Sequence, residues 1–341
     1  LAVPTPKWVR RSPSSPARAR TRAEWGITAE ELDAGFVRVG FEVEELDSLD
    51  TVSGPLVIGR VAHIEELTNF RKPIRFCQVD VGEAEPRGIV CGARNFAEGD
   101  LIVAALPGAV LPGGFEIATR KTYDHVSDGM ICSVSELGLG TDHSGILVLP
   151  AGTAEPGDDA KPVLGMDDTV IELNVTPDRG YAFSVRGLAR ELACGYDLPF
   201  TDITTPSPEQ GAGAGGVDVT VEPESGCTRF TALRVEGIDP KAVSPWWLQR
   251  RLLTSGVRPI SAAVDVTNYL MLLSGQPLHA FDADKVRGGL VVRASRPGET
   301  LETLDHVERT LDPEDAVIVD DSGPVSLAGV MGGATTEVGD D

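Results

Sequence analysis

Apolar and polar positions change period several times along the chain. In ITAEELDAGFVRVGFEVEEL (27–46), Leu32, Phe36 and Val39 fall on one helical face. Thr28 with Glu31 three positions on forms a capping-box start, Gly40 ends the helix, and FEVEEL alternates as a strand. From Leu56 to Pro150 short alternating runs take over: LVIGRVAHI, RFCQVDVG, GIVCGA, LIVAALPGAVLPG, FEIATRKTY and GILVLP. Many short strands with glycines at the corners predict a small barrel. After a polar connector, TVIELNV reads as a strand, Thr176–Pro177–Asp178 as a turn, and AFSVRGLARELACGY as a helix closed by Gly195. TTPSPEQGAGAGG (204–216) is a linker by composition. Beyond it VDVTVEP and FTALRVEGI read as strands, and SPWWLQRRLLTSG as a helix with Ser244 as N-cap, Pro245 at its first position and Gly256 at its end.

Composition narrows the function classes. The five cysteines, Cys77, Cys91, Cys132, Cys194 and Cys227, form no CxxC pair, which fits reduced thiols in a cytoplasmic protein rather than a disulfide framework or a zinc site. No stretch is apolar for the 18 or more residues that a membrane span needs. The net charge of −22 is a poor footprint for bulk nucleic-acid binding. That charge is uneven, since residues 1–25 hold six basic residues against the single acid Glu24. Pro4, Pro6, Pro13 and Pro16 argue against an amphipathic transit helix there, so residues 1–26 are expected to be a disordered or atypical tail. GxGxxG, Walker, HExxH, EF-hand and GxSxG motifs are all absent.

Two stretches carry candidate chemistry. One is a local electropositive segment with Arg60, His63, Arg71, Lys72 and Arg75, interleaved with Phe70 and Phe76. Arginines pair with phosphates and aromatic rings stack on unpaired bases; an ordinary solvated loop has the same composition. The other is VDVTNYLMLLSGQPLHAFD (264–282), an apolar run that holds Thr267, Asn268 and His279. These three polar groups are either satisfied caps and a core histidine or the wall of a site. Asp265 and Asp282 lack a third ligand partner and read as structural, so no metal is expected.

GIVCGARNFAEGDLIVAALPGAVLPGG (88–114) and GMICSVSELGLGTDHSGILVLP (129–150) closely resemble the tRNA-binding barrel of the bacterial phenylalanine–tRNA ligase β-subunit family. ELNVTPDRGYAFSVRGLARELA (172–193) is similar to the segment that follows it in that family. The 246–294 stretch and LAGVMGG (327–333) resemble its editing domain. The resemblance implies an α+β chain: an OB-fold barrel (54–150) inserted in a small α/β N-terminal domain (27–53 and 164–202). A connector (151–163) and a linker (203–216) lead to a B3/B4-like editing domain (217–341), truncated at its C-terminus. It implies tRNA(Phe) and an α subunit as partners in a cytoplasmic α2β2 enzyme, with ATP and Mg2+ serving the whole enzyme and no cofactor in this part.

By the same resemblance Thr267, Asn268, His279 and Arg258 match the editing pocket, Met331 and Gly332 its substrate-binding wall, and Arg60, Arg71, Lys72, Arg75 and Asn95 the tRNA-binding barrel. Three departures stand out: His306 replaces a usual glycine, Ser261 and Ala262 stand where asparagines are common, and residues 1–25 match only faintly. The acidic residue that reads the tyrosine hydroxyl would follow Asp341, so these residues are expected to edit poorly by themselves. A freestanding aminoacyl-tRNA deacylase and a non-enzymatic tRNA-binding accessory protein are the rival readings.

Overall fold

The computed structural model describes residues 7–10, 27–71, 73–203 and 216–339. These fall into two compact units, Leu1–Phe200 with Ser244–Pro259, and Thr201–Val243 with Ile260–Asp341. Most of the expected tail, Lys72 and nearly all of the linker lie outside the described residues.

The first unit starts with strand β1 (Lys7–Arg10), helix α1 (Ala29–Arg38) and strand β2 (Glu42–Ser48). The capping box forms as its sequence predicts: Glu31 N donates to Thr28 Oγ1 at 3.1 Å and Thr28 N to Glu31 Oε2 at 2.7 Å. Gly40, at φ 84°, takes the left-handed conformation that stops the helix. Ten strands follow: β3 (Leu56–Leu67), β4 (Ile74–Asp80), β5 (Arg87–Cys91), β6 (Leu101–Ala105), β7 (Val110–Leu111), β8 (Phe115–Glu116), β9 (Arg120–Thr122), β10 (His125–Ser127), β11 (Met130–Ile131) and β12 (Val148–Leu149). Helix α2 (Ala160–Leu164), strand β13 (Thr169–Asn174) and helix α3 (Val185–Gly195) then return the chain to the small domain. There β1, β13 and β2 form one antiparallel sheet, on which Leu32, Phe36, Leu188 and Leu192 pack with Ile171 and Leu173. Lys7–Arg10, expected within a tail, is therefore an edge strand, paired from Lys7 opposite Glu172 to Arg10 opposite Thr169.

The barrel sheet runs β11-β6-β3-β4-β5, all antiparallel, with β12 also on β6. Strand β6 shows why its sequence is apolar without alternation. Ile102 and Ala104 face the barrel core beside Val61, Cys77, Val79 and Ile89, whereas Leu101, Val103 and Ala105 face a second core with Leu137, Leu139 and Leu164. A strand buried on both faces loses the polar half of the period-two pattern.

That second core also receives helix α4 (Trp246–Thr254) through Trp246 and Leu253. Trp246 Nε1 donates to Val163 O at 2.8 Å. The buried Arg250 donates to Leu164 O at 2.6 Å and to Gly165 O and Asp168 Oδ2, each at 2.7 Å. Two sequence readings change here. Residues 244–259, expected in the editing domain, belong to the first unit, because α4 satisfies that unit's apolar face and buried acid. The helix also starts one residue later than expected: Pro245 is its N-cap and makes no side-chain capping bond.

The second unit has strand β14 (Val219–Val221), helix α5 (Ala262–Ser274) and strands β15 (Leu290–Ala294), β16 (Thr300–Glu302), β17 (Glu308–Thr310), β18 (Ala316–Asp320), β19 (Gly323–Leu327) and β20 (Met331–Gly332). Its main sheet runs β14-β15-β18-β19-β20, with β14 and β15 parallel. FTALRVEGI, which alternates like a strand, is not one, and Leu233 and Val235 remain 86% and 58% exposed. The chain is thus α+β, with a barrel domain and a second mixed unit.

Candidate functional site

The barrel presents its charged groups on β3 and β4 and the turns beside them. Glu98 Oε1 takes hydrogen bonds from Ile64 N at 2.8 Å and from His63 Nδ1 at 2.7 Å, and the Ile64 amide with His63 holds this carboxyl below its ordinary range. Arg60 Nη1 donates to Gly99 O at 3.2 Å. Arg71 is exposed and Lys72 lies outside the described residues.

Two expected tRNA contacts have other duties in the fold. Arg75 donates to Glu66 Oε1 at 2.9 Å and to Phe96 O at 2.8 Å, and its guanidinium lies 5.0 Å from the centre of the Phe96 ring. The Asn95 amide donates to Ile146 O at 2.9 Å and accepts from Ile146 N at 3.0 Å, so it ties two segments together as a strand neighbour would. Gly145 leaves room for it, since a Cβ there would collide with that amide. Both side chains therefore also support the fold.

Sequence reasoning missed the β9–β10 hairpin. It brings His125 against Phe76, with ring centres 4.3 Å apart, and Tyr123 edge-on to Phe70 at 4.9 Å. Its two-residue turn has Tyr123 at φ 50° and Asp124 at φ 61°, the signature of a type I′ turn made without the usual Asn-Gly. Tyr-Asp gives no such signal in sequence. The thiols on and beside the barrel strands are inert: burial pushes Cys77 and Cys132 up to about 12.

In the second unit Ser261 caps α5 by accepting from Val264 N, and the buried Asp265 accepts from Ile260 N at 2.8 Å. Thr267 and Asn268 therefore lie inside the helix and are not its caps. Thr267 Oγ1 donates to Val264 O at 2.7 Å, which uses its only proton and leaves it an acceptor. Asn268 is half-buried and on the same helix.

His279 lies in the loop after α5, edge-on to Phe281 with ring centres 4.6 Å apart. Its imidazole also lies directly over Gly332 on β20, where any Cβ would collide with Cε1 and Nε2. The residue as a whole keeps an exposed surface, but the ring sits among protein atoms. That desolvation lowers its pKa, so the imidazole is neutral at pH 7. The two positions singled out in sequence as site and wall are thus in contact. Met331, beside Gly332, is half-buried, and its carbonyl accepts from Ser326 Oγ at 3.1 Å. Arg258 belongs to the first unit, where its charge helps hold Asp142 low after the bonds from Ser144. Among the described residues no group of three or more His, Cys, Asp or Glu side chains could hold a metal ion. No helix among them is long and apolar enough to cross a membrane.

Comparisons with known proteins bear on both regions. Residues 56–159 match the family model described as “Putative tRNA binding domain”, and residues 226–341 match the B3/4 domain model. The phenylalanine–tRNA ligase beta subunit of Nocardia farcinica is 71% identical over 94% of this chain and 39% of its own length. Those of Mycolicibacterium paratuberculosis and Thermobifida fusca are 59% and 55% identical, over 92% and 99% of this chain and 38% and 40% of theirs. Among solved structures, a CsaA chaperone from Picrophilus torridus overlaps 30% of this chain and 87% of its own at 13% identity, with a TM-score of 0.23, too low to carry an argument. The chain spans about two-fifths of the length of the curated relatives it matches. It belongs to the family of phenylalanine–tRNA ligase beta subunits.

Proposed function

We propose that these residues bind tRNA(Phe) through the barrel and carry part of a site that hydrolyses Tyr-tRNA(Phe). They would act within an α2β2 cytoplasmic enzyme whose α subunit joins phenylalanine to tRNA(Phe) with ATP and Mg2+. Such correction has a physical rationale. A pocket shaped for phenylalanine meets tyrosine as an isostere with one added hydroxyl, and apolar pockets reject that addition by only about 10².

The observation that carries the reading is His279 over Gly332: a neutral imidazole on a backbone with no side chain to fill the space beside it. In hydrolysis a water adds to the ester carbonyl, the tetrahedral oxyanion needs donors, and the 3′ oxygen of the tRNA leaves with a proton. A neutral His279 can orient that water or the 3′ end. The Asn268 amide is a donor type suited to the oxyanion, and Thr267 can offer only lone pairs. Met331 and Gly332 would line the wall. Arg60, Arg71 and Lys72 are the barrel cations proposed for phosphate contact.

The test is hydrolysis of Tyr-tRNA(Phe) by an enzyme carrying the intact β chain with Asn268→Ala or His279→Ala. Loss of hydrolysis with unchanged tRNA binding and melting temperature supports the site. Unchanged hydrolysis in both variants overturns it.

A further inference from the structure

Next to the barrel strands is a cleft of about 450 Å³, within the range of small-ligand sites of roughly 300–1,000 Å³. Leu67, Phe70 and Pro73 give it apolar walls, and Glu66, Arg71 and Arg94 its charge. Burial alone would raise the Glu66 pKa, but Arg75 and Arg94 both donate to its Oε1, at 2.9 and 3.0 Å, and hold the carboxyl low. One carboxylate thus holds two arginines, and the fixed glutamate keeps Arg94 at the cleft wall. Arg71 is exposed and has no hydrogen bond or ion pair among the described residues.

Tyr123 reaches this place from the β9–β10 hairpin and packs edge-on against Phe70. The residue is 37% exposed. Its backbone at φ 50°, followed by Asp124 at φ 61°, is a conformation that side-chain-bearing residues adopt at a cost. Strain of this kind gathers at ligand sites, where surrounding packing holds a side chain in place.

We infer that this cleft takes a single unpaired nucleotide of RNA, its base against the Tyr123–Phe70 pair and its phosphate between Arg71 and Arg94. The inference rests on the tRNA-binding reading above and adds the site and the class of structure bound: a splayed single-stranded segment rather than a duplex. Two cations beside an aromatic pair suit a phosphate joined to a flat base. An acidic peptide would engage the arginines and leave the rings unused.

The test is fluorescence anisotropy of labelled tRNA(Phe) and of a labelled six-nucleotide single-stranded RNA, titrated with the chain at several salt concentrations. Tyr123→Asn removes the ring with a residue that tolerates the left-handed backbone, and Phe70→Leu is the second variant should the turn fail to fold. Either is expected to weaken the short RNA about tenfold with an unchanged salt slope. Arg71→Ala is expected to reduce the slope by about one. If the parent binds tRNA and these folded variants bind both RNAs as it does, the cleft assignment is overturned while the tRNA-binding reading survives. If a poly-glutamate peptide displaces the RNA and the ring variants have no effect, the site is an anion patch and the inference is wrong. If the parent binds neither RNA, both readings fall.

Discussion

Strand β6, LIVAA, is apolar throughout and residues 230–235, FTALRV, are apolar at four of six positions, yet both read as strands and their fates differ. Every residue of β6 is buried, whereas Leu233 and Val235 are 86% and 58% exposed. β6 has strand partners along both edges and a core against each face. FTALRV has no strand partner among the described residues. Helices repeat the contrast. α1 buries Leu32 and Phe36 on a narrow stripe, while the far more apolar α5 buries only Asp265 and Leu272 and exposes Val266 and Leu270. An apolar pattern states what a segment can bury; neighbours decide whether it does.

Ion pairs put this contrast between the units at risk first. Asp168→Ala would leave the Arg250 charge buried without its carboxylate, and it is expected to cost about 3–5 kcal/mol in urea unfolding of the first unit. The second unit's pair, Arg293 with Glu299, leaves the Glu299 side chain 20% exposed, so Glu299→Gln is expected to cost clearly less. An equal loss would erase the distinction. Gly332→Ala forces the His279 ring aside and is expected to lower Tyr-tRNA hydrolysis by about 10²-fold, with tRNA affinity unchanged.

Next in size is a pH effect. Bonds from Arg293 hold the Glu299 carboxyl below its usual range, so its contribution is complete above the ordinary carboxylate pKa and is lost as pH falls through the lowered value. Acid titration of melting temperature should therefore fall less steeply in Glu299→Gln than in the parent. The smallest effects concern the left-handed residues. Asp124→Gly in the first unit and His306→Gly in the second, at φ 61° and 57°, are each expected to raise stability by about 0.5–1 kcal/mol by equilibrium unfolding.

Elements with local causes were legible in the sequence: the Thr28–Glu31 box, the barrel runs, and Gly40 after α1. What escaped depends on distant partners. Nothing near Arg250 says that Asp168 awaits it, nor does Tyr123–Asp124 look like a hairpin turn. Asn95 and Arg75 read in sequence as ligands for RNA, and nothing there shows the remote backbone groups of Ile146 and Phe96 that they also bind. His306 was visible only as a departure, and its positive φ explains why glycine suits that position.

The parallel pairing of β14 with β15 has a practical consequence. The chain between these strands leaves its unit, places α4 in the other core and then comes back. Scissors placed at residue 217 would give a fragment whose family match looks whole, yet it would carry Trp246, Leu253 and a charged Arg250 stripped of their setting. Such a piece is poorly suited to expression as an autonomous module. An excised second unit would have to leave out residues 244–259.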